Sequence, residues 1–280
     1  MSGGVRAFCA FFLPLVVAYA VTLRWVYDSW MLPESYYSHG PLLALVVAGL
    51  MKFRWQEWCE VPGEADRSGW LLLGLGLLAH LCGAALMVDS LSAASMPISV
   101  AGAIWVTVGA GRLRAALPVL VLGALAIPMP MFMTGRLAFE LKEIAIELAM
   151  MLNAVIGLET TRHGAELYVS PHKEPLEVAD ACSGLRSLIA LITLGYCVAF
   201  LMGVQRGARR WLLLAVSVPI AVITNVVRIS GICYVAESSG VYYASTSGHE
   251  ILRWAAWGVA FGLLLLVDGL LSRWLCRRSA

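Results

Sequence analysis

Apolar runs of membrane-spanning length follow one another along almost the whole of this 280-residue chain, and they restrict it to a multi-pass membrane fold. A helix needs about 20 apolar residues to cross a hydrocarbon layer of ~30 Å. Inside that layer every backbone N–H and C=O has to be satisfied by the segment itself. Runs of this kind lie at residues 8–27, 36–51, 69–88, 91–110, 115–133, 184–204, 211–235 and 251–272. The second is short. The fifth carries Pro118, Pro128 and Pro130, which neighbouring helices can accommodate. Charged residues make up 14% of the chain and mean hydropathy is +0.80, far from a soluble composition of about 25% charge. The expected fold is all-α, with about eight transmembrane helices in a single integral-membrane domain over residues 1–280.

Lysine and arginine set the orientation, because short cytoplasmic loops collect them. With the N-terminus inside, Lys52, Arg54, Arg67, Arg112, Arg114 and the Arg206–Arg210 cluster all fall on the inner side. Residues 136–158 test this count. They are apolar enough for a span, but Glu140, Glu143 and Glu147 recur on one helical face. A crossing there would move Arg206–Arg210 outside, so the segment reads as an amphipathic helix on the outer surface. A packed membrane helix with its acidic stripe in a cavity is the other reading. Ala18-Tyr19-Ala20 has the form of a signal-peptidase site, yet the apolar run continues through Val21, which favours an uncleaved first span.

One long outer segment, residues 133–183, results from this topology. Within it Glu166-Leu-Tyr-Val-Ser and Leu176-Glu-Val alternate as a small hairpin would. The second stretch runs into Asp180-Ala-Cys-Ser-Gly-Leu-Arg186, a thiol among small and polar residues where an apolar helix begins. The unsatisfied N–H groups and dipole of a helix N-terminus favour thiolate, the reactive form. Asp180 or Ser183 is the expected N-cap. Gly184 admits a close backbone approach, and Arg186 shares a face with Cys182 if both are helical. The chain has seven cysteines and no CxxC pair, so neither a disulfide framework nor a zinc site is indicated. Cys9, Cys59, Cys82, Cys197, Cys233 and Cys276 read as small apolar residues. A structural disulfide between Cys233 and Cys182 is a competing reading for that pair.

Two further anomalies point to the same membrane face. Arg228 lies inside an apolar run, at an insertion cost of roughly 2.5–3.5 kcal/mol, and such a residue has a partner or a task. Reaching the headgroups would suffice for it alone, but Asn225, one turn deeper, is polar too. His249 opens the last span. A thiol nucleophile needs a proton acceptor and a donor for the developing oxyanion, and histidine and arginine supply these. His39, in Tyr37-Ser-His-Gly-Pro41, opens the second span on the same side and lines the site or fixes a turn.

In these residues the chain resembles the exosortase/archaeosortase family of polytopic membrane enzymes. The resemblance is carried by Glu177-Val-Ala-Asp-Ala-Cys-Ser-Gly-Leu-Arg186, by Pro219-Ile-Ala-Val-Ile-Thr-Asn-Val-Val-Arg-Ile229, by His249 and by the early Ser38-His-Gly element, over about residues 20–270. It implies a cysteine protease or transpeptidase with Cys182, Arg228 and His249 as catalytic trio. Glu177, Asp180, Ser183, Arg186, Asn225 and His39 would support them or bind substrate. The implied partners are exported proteins with a C-terminal Pro-Glu-Pro-type signal, a membrane helix and a basic tail. The implied location is a bacterial inner membrane beside exopolysaccharide gene sets, with the site facing the periplasm. No metal or organic cofactor is required, the acceptor nucleophile stays open, and nothing suggests nucleic acid. A transporter, or a non-proteolytic acyltransferase tied to polysaccharide export, is the alternative. A transporter would place its polar groups near mid-membrane in several helices.

Overall fold

The computed structural model describes residues 3–33, 35–164, 166–170, 174–177, 184–201 and 207–278, almost all of them helical. Contacts divide the chain into two compact units, Met1–Pro130 and Met131–Ala280.

The first unit contains helices α1 (Gly3–Ala18), α2 (Ala20–Met31), α3 (Gly40–Phe53), α4 (Trp55–Glu60), α5 (Gly69–Ala85) and α6 (Asp89–Leu125). Its centre is an antiparallel seam between α5 and α6. Glycines recur every seventh residue on α5, and a Cβ at Gly69, Gly76 or Gly83 would stand 2.4–2.6 Å from Val106, Ser99 or Ser92 of α6. Small residues at heptad spacing let two backbones approach, which in lipid substitutes packing for a hydrophobic driving force. Polar groups tie the first helices to this seam. The Tyr19 hydroxyl lies 2.8 Å from both Ser95 Oγ and Ser99 Oγ, and Thr22 Oγ1 lies 2.7 Å from Ser92 Oγ. His80 Nδ1 shares the Ser92 hydroxyl at 2.8 Å.

The second unit contains α7 (Met131–Val155), an antiparallel sheet of β1 (Thr160–His163), β2 (Glu166–Val169) and β3 (Leu176–Glu177) in the order β1-β2-β3, then α8 (Leu185–Tyr196), α9 (Ala208–Ser239), the short α10 (Val241–Tyr243) and α11 (His249–Arg278). The expected pairing of the 166 and 176 stretches is present, with Glu166 opposite Glu177, and β1 is an additional strand. Leu167, Val169 and Leu176 of the sheet, Ala145, Ile146 and Ala149 of α7, and Val226, Ile229 and Ile232 of α9 bury one common core. The acidic stripe of α7 turns away from it. Glu140 and Glu147 are exposed, and Glu143 clamps the hairpin through Arg162 Nη2, 2.7 Å from Glu143 Oε2.

Three described helices are long and apolar enough to cross a membrane: Asp89–Leu125, Arg210–Ser239 and Val241–Arg273. Ala10–Ala18 and Ala20–Met31, bent by 64° at Tyr19, make a fourth if they form one span. The expected count of eight is not reached by this measure, for two physical reasons. Helices α3 and α5, of 14 and 17 residues, extend only about 21 and 26 Å at 1.5 Å per residue, short of ~30 Å, and the sixth expected span is likewise short as described, over Leu185–Leu201. The fourth and fifth expected spans are merged in α6, whose continuity is broken at Gly109 (φ 88°, ψ 169°). The backbone of Glu64 fills that break: a Cβ at Gly109 would lie 2.2 Å from its carbonyl oxygen. Helix α7 is not among the described helices of spanning length and apolarity.

Candidate functional site

Cys182, Asp180 and Ser183 lie outside the described residues, as does the side chain of Glu177. The two ends of their segment are anchored. Leu176 of β3 is buried in the core of the second unit, and Leu185, the first residue of α8, is wholly buried.

The N-cap position of α8 belongs to Gly184, not to Asp180 or Ser183, because the helix begins only at Leu185. Gly184 is left-handed, with φ 80°. A side chain is disfavoured there on two counts, since a Cβ would meet Asn225 Nδ2 at 2.8 Å as well as straining the backbone. Arg186 lies in the first turn of α8, and the helical face it is expected to share with Cys182 falls on a residue outside those described. The Gly184 carbonyl accepts the Ser187 hydroxyl at 2.8 Å and the Leu188 N–H at 2.8 Å, which closes the first turn.

Helix α9 brings Asn225 and Arg228 to this corner. Both are buried, at 4% and 6% exposure, so Arg228 does not simply stretch into the headgroups. They are three residues apart and share a face. Asn225 sits between two narrow clefts. One is lined by Gly184 and Leu188 of α8 together with Leu141 and Ala145 of α7. The other is lined by Ser187 of α8, Arg228, and Arg253 and Trp257 of α11.

His249 is half-buried at the start of α11, after a π-helical turn at Ala244–Gly248. Such a turn inserts an extra residue and re-aims the side chains beyond it. Glycines fix the register of α11 on α9: a Cβ at Gly231 would lie 3.2 Å from Leu252, and one at Gly248 would lie 3.1 Å from Val235. That register sets His249 level with Tyr234, six residues beyond Arg228, or about 9 Å along the helix axis. An arginine and a histidine side chain can together close such a gap.

Two residues of this corner carry no weight in the motif reading. Arg253 lines the cleft beside Arg228, bonds the Glu250 carboxylate and lies 5.6 Å from the Trp254 ring. Its place four residues after His249, on the same helical face, is the signal that marks it. Ser187 stands three residues after Gly184, in the first turn of α8, and hydroxyls are common at such positions for capping alone.

His39 belongs to the first unit. It occupies the N-cap position of α3, half-buried, and its ring stacks on Tyr37 at 6.2 Å. Both ring nitrogens are buried without a hydrogen-bond partner among the described residues. The neighbouring Gly40 is a packing requirement, since a Cβ there would lie 2.3 Å from the Trp30 indole. Cys233 is a free thiol, wholly buried against Ile229 and Ile232, which removes the competing disulfide. Among the described residues no group of three or more His, Cys, Asp or Glu is placed to hold a metal ion.

Searches of curated proteins and of solved structures return no significant match. The family profile described as transmembrane exosortase matches residues 27–266. That match takes in β3, the start of α8, the polar turn of α9 and His249, and the chain belongs to the transmembrane exosortase family.

Proposed function

We propose that this protein is a membrane cysteine transpeptidase, or protease, that cleaves the C-terminal sorting signal of exported proteins at the periplasmic face of a bacterial inner membrane. Family membership supports the class of activity. The observation that carries the residue roles is the packing of Gly184, two residues after Cys182, against Asn225, one turn from the buried Arg228.

In the proposed reaction the Cys182 thiolate attacks the scissile carbonyl carbon. The oxyanion of the tetrahedral intermediate is held by the Arg228 guanidinium. Collapse breaks the C–N bond, His249 gives its proton to the departing amine, and a thioester remains on Cys182. His249 then takes a proton from the incoming amine or water, which attacks the thioester and frees the thiol. Asn225 and Arg253 orient the arginine. Glu177, Asp180, Ser183 and Arg186 align the thiol or bind the signal, and His39 is assigned to substrate contact.

The test is mass spectrometry of the C-terminus of a Pro-Glu-Pro-type substrate from cells carrying the wild type, Cys182→Ala or Cys182→Ser. Wild-type cells yield the shortened C-terminus. The alanine variant accumulates full-length substrate, and hydroxylamine releases a substrate fragment from the wild type only. Normal processing in Cys182→Ala would overturn the proposal. Loss of solute flux with processing intact would favour the transporter alternative.

A further inference from the structure

We propose that the first unit carries a binding site for one molecule of an amine-bearing zwitterionic phospholipid, of the phosphatidylethanolamine class. One of its two acyl chains lies in a groove between α1, α3 and α6, the other stays in the bilayer, and its headgroup lies at Arg54 and Glu57. The groove has a volume of about 440 Å³, within the size of small-ligand sites. Its walls are apolar, with Phe12 of α1, Leu50 of α3, and Pro97, Val100 and Leu120 of α6 among them. Two turns of helix, about 11 Å long and 10 Å across, would need roughly twice that volume. A hydrocarbon chain is the closer match to a groove of this volume.

The charge on the groove comes from one short stretch of chain. Among its lining residues Arg54 and Glu57 are the charged ones, three positions apart where α3 passes into α4. Trp55 and Trp58 flank them, with ring centroids 5.2 Å apart, and indoles of this kind settle at headgroup level. This stretch is rigidly built. The buried Arg112 donates from Nε to the Val61 carbonyl and from Nη2 to the Cys59 carbonyl, both at 2.9 Å. Trp58 Nε1 donates to the Arg112 carbonyl at 3.0 Å, and the Arg112 guanidinium lies 5.8 Å from the Trp58 ring. This clamp holds α4 against α6.

A cation and an anion three residues apart on the lining match a headgroup with a phosphate and a primary ammonium. The guanidinium accommodates the phosphate oxygens through its paired N–H groups, and the carboxylate accepts from the ammonium. Phosphatidylglycerol brings no cation to Glu57. Phosphatidylcholine brings a cation without N–H donors. The site thereby discriminates by chemistry and not by hydrophobicity alone.

The experiment is native mass spectrometry of the full chain, purified in detergent, stripped of lipid and mixed with equal amounts of dioleoyl phosphatidylethanolamine, -glycerol and -choline. The expected result is one retained phosphatidylethanolamine, at least fivefold over the other two. Arg54→Gln should reduce all retention, and Glu57→Gln should erase the preference for the amine. Gly123 borders the groove with open space where a Cβ would stand. Gly123→Leu should therefore displace the lipid with the helical circular-dichroism signal retained. Equal retention of the three lipids by the wild type would overturn the proposal, as would full phosphatidylethanolamine retention in Arg54→Gln and Glu57→Gln. The two headgroup variants stand apart from the core, so they decide the matter even if Gly123→Leu fails to fold. None of these readouts depends on peptide cleavage.

Discussion

Gly184 and Asn225 occupy each other's space: a Cβ on the glycine would sit 2.8 Å from the asparagine Nδ2 and 2.9 Å from its Cγ. With φ at 80°, the same glycine holds a backbone shape that costs an L residue about 1–2 kcal/mol. Gly184→Ala should therefore lower substrate processing at least tenfold while the protein still accumulates in the membrane. Asn225→Ala opens room for the new methyl but removes a residue that orients Arg228, so the double variant should process no better than Gly184→Ala. Quantitative immunoblotting of processed against full-length substrate reads both.

Arg228→Lys separates charge from geometry. Lysine keeps the cation in the buried cleft but loses the planar fork. If the guanidinium binds the oxyanion, processing should fall by about 10²–10³, with membrane levels close to wild type. Unchanged processing in the lysine variant would reduce Arg228 to a buried charge.

Loss of a general acid–base typically costs about 10²–10⁴ in rate, and His249→Ala should fall in that range. External imidazole should return a measurable fraction of the activity of purified His249→Ala. Arg253→Gln should be milder, because its guanidinium already bonds Glu250. No rescue by imidazole, with Arg253→Gln the more severe, would transfer the proton role away from His249.

The α5–α6 seam predicts opposite outcomes two residues apart. A Cβ at Gly76 would meet Ser99 Oγ at 2.4 Å and Ser99 N at 2.7 Å, whereas one at Gly74 would meet nothing within 4 Å. Gly76→Val should destabilise by about 1–3 kcal/mol through overpacking. Gly74→Ala should be neutral, or slightly stabilising in a helix interior. Detergent melting curves of the two variants compare them directly.

Glu143 and Arg162 bind the hairpin to α7 at a site that is only partly buried. Glu143→Gln should leave global stability within about 1 kcal/mol. It should raise amide hydrogen exchange severalfold in β1 and β2, with α9 unaffected. Equal protection in wild type and variant would show that the core residues Leu167 and Val169 hold the sheet without the clamp.

Long apolar runs made the helical class legible, but the interruption of α6 falls at Gly109, inside the fourth expected run, and the expected gap at residues 111–114 is helical. Span length was less legible, since hydropathy does not reveal that α3 begins only at Gly40 or that α1 and α2 bend apart at Tyr19. Strand β1 escaped because Thr160-Thr-Arg-His163 lacks apolar alternation, and its pairing with β2 depends on the sheet as a whole. At the site, polar residues inside apolar runs singled out Asn225 and Arg228, and both are buried. The N-cap was misassigned because Asp and Ser are the usual caps, whereas here a left-handed glycine fits the approach of Asn225. Arg253 was not singled out by the sequence, because nothing local says which neighbouring helix its face will meet.

The hydroxyl partners of Tyr19 carry a consequence for biogenesis. All three, the Gly76 carbonyl and the Ser95 and Ser99 hydroxyls, belong to helices made later on the ribosome than Tyr19 itself. The bend at Tyr19 therefore has nothing to lock onto until the α5–α6 pair has entered the bilayer. Helices α1 and α2 thus take their final pose only after α5 and α6 have been made.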